Sequence, residues 1–168
     1  LSKNCKKFSI FIKYFYYISI LFLGGNMKKL IIKWQRLVQN NTTCPRCADT
    51  GLEIEKAYIK LKESLKHFNI EVLLEKHELT ETEFNKNPLI SNLILINDKP
   101  LEAWISAETG QSKCCSVCGD EECRTIQFRG NIYEAIPENL IIKASLIAAS
   151  ELIPIDKKSS ILTIKNFK

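Results

Sequence analysis

The chain has 168 residues, with 24 Lys or Arg against 19 Asp or Glu, a formal net charge of +5, and seven cysteines. That length suits one domain with a real core rather than several. Four lysines (Lys3, Lys6, Lys7, Lys13) lie in a first stretch without acids, and the +5 less these four leaves +1 for the remainder. Mixed charge of that size gives no reason to expect nucleic acid or an anionic membrane as partner.

The first stretch is residues 1–26, "LSKNCKKFSIFIKYFYYISILFLGGN". Lysines before the apolar run from Phe8 to Leu23 have the form of a signal or anchor segment. Against that, the chain does not open with Met, Lys13 interrupts the run, and no A-x-A-like cleavage site follows. The residue types are those that AT-rich DNA encodes by default. Gly24-Gly25-Asn26 before Met27 requires GGNGGNAAY upstream of ATG, the pattern of a bacterial ribosome-binding site. Residues 1–26 are therefore expected to be an over-translated leader, with Met27 as the start and a signal or anchor as the alternative. If so, no membrane is involved and the cytoplasm is the default location. There a CxxC pair is more often catalytic or metal-binding than a structural staple.

From Met27 on, "KKLIIKWQRLV" is apolar, β-branched and aromatic, and predicts a strand. It runs into Asn40-Asn41-Thr42-Thr43 and then Cys44-Pro45-Arg46-Cys47. Ile54, Ala57, Tyr58, Leu61, Leu65 and Phe68 then form one helical stripe. Thr50 with Glu53 fits a capping box, so this helix starts there or a turn earlier at the cysteines. Ile70, Val72 and Leu74 alternate as in a strand, and Thr80 with Glu83 opens a short helix that Pro88 closes. "LILIN" (Leu93 to Asn97) predicts a buried strand, and Asn97-Asp98-Lys99-Pro100 a turn. Trp104 to Cys123 is polar, with glycines and cysteines. "RTIQF", Arg129-Gly130-Asn131 and "IYEA" predict a hairpin, and Pro137 opens a last helix through Leu152, which Pro154 ends.

This order is β, CxxC, α, β, α, β, a cysteine-rich insert, β, α. A strand that feeds a helix and returns to a second strand is a βαβ crossover. The expected fold is α/β and thioredoxin-like: a small mixed sheet with helices on both faces and a cysteine-rich insert. It is expected to occupy residues 27–153, with a poorly packed tail at 154–168.

Cys44 and Cys47 are the candidate catalytic pair. Two intervening residues at a helix start bring two sulfurs within disulfide range, and helix-terminal N–H groups favour a thiolate on Cys44. Arg46 is expected to add to that. Cys44 would attack a protein or small-molecule disulfide, and Cys47 would resolve the mixed disulfide. The competing reading makes CPRC half of a zinc site.

The second cluster, "SKCCSVCGDEEC", offers Cys114, Cys115, Cys118 and Cys123 as candidate metal ligands. Cys115-x2-Cys118-Gly119 has the form of a metal knuckle, in which glycine allows the tight turn. Four thiolates suffice for zinc or an iron–sulfur cluster, and a soft metalloid also suits them. Adjacent Cys114 and Cys115 strain one small cage, so Cys115, Cys118 and Cys123 are expected to converge, with Cys114 as fourth member or with Cys44 or Cys47 in its place. The alternative is a loop of thiols that relays electrons to CPRC. His67 and His77 lack ligand spacing and read as surface residues, Trp34 and Trp104 as core or rim aromatics, and Asp120-Glu121-Glu122 as a solvated turn.

"KWQRLV", "TCPRCADTG", "INDKPLEAWI", "CCSVCGDEECRTI" and "YEAIPENLIIKA" together resemble the uncharacterised bacterial and archaeal family catalogued as domain of unknown function 2703. The resemblance covers nearly all of Lys29 to Leu152 and implies a thioredoxin-like fold with no established activity. Cys44-Pro45-x-Cys47 is also similar to the glutaredoxin motif. Thioredoxins and glutaredoxins place a cis-proline immediately before the strand that faces the CxxC, where it binds substrate backbone. Here Ser91-Asn92 precede that strand, which argues against thioredoxin-style docking and leaves disulfide chemistry open.

Overall fold

The computed structural model of the chain describes residues 27–114 and 118–154. The leader, most of the tail and Cys115 lie outside the described residues. Strand β1 (Lys28–Leu37) alternates: Leu30, Ile32 and Trp34 are buried, whereas Ile31, Lys33 and Gln35 are half-buried. Helix α1 (Pro45–Leu65) buries Cys47, Thr50, Ile54, Ala57, Leu61 and Leu65, the stripe expected of a helix with one covered face. The chain returns through a 3₁₀ turn to β2 (Ile70–Leu79), which pairs parallel with β1 over their full length. This is the expected βαβ crossover.

Helix α2 (Glu81–Lys86) carries the full capping box: Thr80 Oγ1 accepts from the Glu83 N–H, and the Thr80 N–H donates to the Glu83 carboxylate. After a 3₁₀ turn at Pro88–Ile90, β3 (Leu93–Ile96) pairs antiparallel with β1. Asn97 and Asp98, both at positive φ, turn the chain into β4 (Lys99–Pro100). The sheet order is therefore β2-β1-β3-β4, with β1 inside it and paired to the "LILIN" strand.

Two features depart from expectation. The expected single mixed sheet is instead two: the two-residue β4 returns beside β3, and the "RTIQF" hairpin lies elsewhere. That hairpin, β6 (Glu122–Phe128) and β7 (Asn131–Tyr133), joins β5 (Glu108–Lys113) in a second sheet of order β5-β6-β7. Also, α1 and the last helix, α4 (Glu138–Leu152), touch each other and share one face of the main sheet, leaving the β1 residues of the other face half-buried. The short helix α3 (Leu101–Ile105) follows β4 and packs mainly against α4.

Three anchors hold the second sheet to the first. Ile126 of β6 is fully buried in the common core with Ile136, Ile141 and Ala144. Arg124 beside it donates from Nε to Glu102 Oε1 at 2.7 Å, from Nη1 to the Leu89 carbonyl and from Nη2 to Thr109 Oγ1. Asn92, held at φ +59 beneath Trp34, donates its amide to the Glu134 carbonyl. Within the main layer, α1 comes closest to β1 at Gly51, where a Cβ would meet the Trp34 ring at 2.8 Å. Close helix–sheet packing therefore needs glycine there.

Candidate functional site

The path from β1 to CPRC is a tight turn. Asn40 and Asn41 take positive φ, Gln39 and Thr42 exchange backbone hydrogen bonds, and Thr43 Oγ1 donates to the Leu37 carbonyl. This delivers Cys44 to the N-cap of α1, with Pro45 in the first turn, where its missing N–H costs nothing. Helix α1 thus begins a turn before Thr50, as the second of the two expected starts had it. Thr50 is instead buried mid-helix, and its hydroxyl accepts from the Ile136 N–H at 3.0 Å.

On the other side, β5 and β6 face each other with Ser112 opposite Cys123 and Lys113 opposite Glu122. The Cys114 N–H closes the connecting loop on the Glu121 carbonyl at 3.1 Å. Gly119, at φ +64, supplies the left-handed residue that the loop requires. This loop folds over CPRC. The sulfurs of Cys44, Cys114 and Cys118 lie within 4.8 Å of one another, and they come from both sequence clusters. Cys123 stands against Cys118 and Cys114, and Cys47 against Cys44. The expected convergence of Cys115, Cys118 and Cys123 takes a different form here: Cys44 joins Cys114 and Cys118, while Cys115 lies outside the described residues.

Burial departs from expectation too. A nucleophile that attacks external disulfides needs access to them, yet Cys44 and Cys47 are each 1 % exposed. Cys118 and Cys123 are also buried, and among the described cysteines only Cys114 is part-exposed. A cleft of about 530 Å³, lined by Leu37, Phe84, Asp120 and Glu121 among others, opens beside Cys118.

The five described thiols divide into acceptors and donors. Hydrogen bonds from Cys118 and then Cys47 hold the Cys44 thiol far below its ordinary value, against the opposing effect of burial. Cys123 is lowered to about 7, chiefly by Cys118. Cys47 is pushed up first by its bond to Cys44 and then by burial, and Cys118 is pushed up by Cys123, Cys44 and burial. Burial, followed by Cys123, raises Cys114.

Arg46 does not have the part expected of it. Its guanidinium turns to the insert, donating to Ser112 Oγ at 2.8 Å and to the Lys113 carbonyl at 2.6 Å, and pairs with Glu134 at 2.7 Å. Ser112 Oγ in turn donates to Glu134. Arg46 is thus a clamp between the CPRC turn and β5. Neither Ser112 nor Glu134 carries a sequence signal that would have found it. Ser91 was noted only as a residue in place of proline. Its hydroxyl accepts from the Leu37 N–H and lies 3.9 Å from the Cys47 sulfur. His67 and His77 are exposed, away from the thiols, as expected.

Comparison with known proteins adds family but no activity. Residues 30–145, which include both cysteine clusters, match the family described as domain of unknown function (DUF2703). An uncharacterised protein of Archaeoglobus fulgidus is 44% identical over 113 residues, covering 67% of this chain and 82% of the relative. No solved structure matches. Among the described residues, no helix is long and apolar enough to cross a membrane.

Proposed function

The chain belongs to the DUF2703 family, and we propose that it binds a soft, thiophilic metal or metalloid ion through Cys44, Cys114 and Cys118, with Cys123 as fourth ligand. One observation carries this reading: three sulfurs from two distant segments lie within 4.8 Å of one another. Thiolates that share one zinc stand about 3.8 Å apart, given bonds near 2.3 Å, so small side-chain rotations suffice. An all-sulfur set selects soft or borderline ions such as zinc, an iron–sulfur cluster or trivalent arsenic over hard cations. Reduced thiols, as in a cytoplasm, are a requirement.

The test is zinc stoichiometry on the anaerobically reduced full chain. One tightly held zinc is expected, lost in Cys44→Ser and Cys118→Ser and kept in Cys47→Ser. Equal zinc binding in Cys44→Ser would remove the reading.

A second reading is a thiol–disulfide oxidoreductase on a thioredoxin-like scaffold. It is supported by the β2-β1-β3-β4 order with its parallel crossover and by a thiolate-favouring Cys44 at the start of α1. Its substrates would be protein or small-molecule disulfides, attacked by Cys44 and released by Cys47. The 1 % exposure of both cysteines ranks it second.

A further inference from the structure

Among the described cysteines, Cys47 is the thiol that the ion site leaves over. It is not one of the three mutually close sulfurs, yet it stands directly against Cys44, deep in α1, with Ser91 Oγ 3.9 Å behind it. Cys44 therefore has two sets of neighbours: Cys114 and Cys118 of the insert on one side, Cys47 of its own helix on the other. A sulfur committed to a disulfide is a poor ligand, so the two engagements exclude each other.

We propose that Cys44 alternates between them, ligating the ion with Cys114 and Cys118 when the protein is reduced and closing on Cys47 when a low-molecular-weight disulfide oxidises it. The inference rests on the ion-binding reading above and adds its regulation: oxidation of CPRC ejects the ion.

Burial dictates the route. Cys44 and Cys47 are closed to an external disulfide, whereas Cys114 is part-exposed and touches Cys44. Cys114, a thiolate because it ligates the ion, attacks the external disulfide RSSR, forming Cys114–S–S–R and releasing one RS⁻. Cys44 thiolate then attacks the Cys114 sulfur, forming Cys44–S–S–Cys114 and releasing the second RS⁻. Cys47 gives its proton to one departing thiolate and attacks Cys44, forming Cys44–S–S–Cys47 and freeing Cys114 as thiolate. Two electrons pass from Cys44 and Cys47 to RSSR, which leaves as RSH and RS⁻. Each exchange is an ordinary thiolate attack on a neighbouring sulfur.

The experiment treats zinc-loaded full chain with glutathione disulfide. Zinc release is followed with a chromophoric chelator, and disulfides are mapped by peptide mass. The expected result is glutathione first on Cys114, then zinc release in step with the loss of the Cys44 thiolate, ending in a Cys44–Cys47 disulfide. Cys47→Ser should stall with Cys44 joined to Cys114. Zinc retained after the Cys44–Cys47 disulfide has formed would overturn the inference, as would zinc lost with Cys44, Cys47 and Cys114 all still reduced, or a first adduct on another cysteine. A reduced chain that binds no zinc before oxidant is added refutes the ion-binding reading itself, and this inference with it.

Discussion

Arg46 shows how a charge next to a cysteine in sequence can serve something else in space. At a helix start it reads as an activator of Cys44, but its side chain is long enough to reach β5, where Ser112, the Lys113 carbonyl and Glu134 compete for its donors. Because the clamp fixes the insert over Cys44, it should matter to ion affinity without touching the ion. Arg46→Lys keeps the charge but not the planar fork that serves several acceptors at once. The Glu134 partner is about half exposed, which discounts the ion-pair part. We expect zinc affinity to fall by roughly tenfold, about 1.4 kcal/mol, in competition with a chromophoric chelator. An unchanged affinity would mean that the insert holds its position without Arg46. The residue scale also marks where the sequence stops being readable: that Cys44 meets Cys114 and Cys118 depends on a contact across about 70 residues, which no local spacing encodes.

At the scale of elements, what could be read followed how local the cause was. Helix α2 is written in its own first turn, where Thr80 and Glu83 satisfy each other's backbone N–H groups. Strands β1 and β3 are written in their apolar alternation, and the β3–β4 and β6–β7 turns in Asn97-Asp98 and Arg129-Gly130. Strand β5 could not be read. "ETGQSK" has no apolar period, and it is a strand because β6 offers it a ladder and Arg46 and Arg124 fasten its side chains and carbonyls. Helix α1 was legible as a helix with its start left between two positions, because Thr50 fits a cap by sequence but instead serves the Ile136 N–H from the buried side. The capping box of α2 leads to a test. Thr80→Ala should lower stability by about 1 kcal/mol, read as a shift in denaturant midpoint with zinc stoichiometry unchanged. A loss of zinc binding would show that α2, whose Phe84 lines the cleft beside Cys118, supports the site as well as the fold.

At the scale of the whole molecule, two sheets meet along a seam held by few links. One is the Arg124–Glu102 pair, buried between β6 and α3. With Leu89 and Thr109 also taking Arg124 donors, it fixes the orientation of β6 more than it adds net stability, since a buried pair is costly to desolvate. Others are the buried Ile126, the Asn92–Glu134 hydrogen bond and the Arg46 clamp, and the bound ion would add one more. Cys44 belongs to the start of α1 on the main sheet, while Cys114 and Cys118 belong to the loop between β5 and β6, so an ion bound by all three bridges the seam. Binding at a free concentration of about 1,000 times Kd stabilises the bound form by about 4.1 kcal/mol. That gain should be unevenly distributed, because local opening free energies differ between cooperative units. The amides of β1 and β3 are paired inside the main sheet whether or not the ion is present. Those of β5 and β6 depend on the loop that the ion ties down. Hydrogen exchange with and without zinc should therefore show protection gained mainly in Glu108–Lys113 and Glu122–Phe128 and little changed in Lys28–Leu37 and Leu93–Ile96. Cys118→Ser should abolish the difference and Cys47→Ser should leave it intact. Protection gained equally in both sheets would mean that they open as one unit and that the ion is not the link between them.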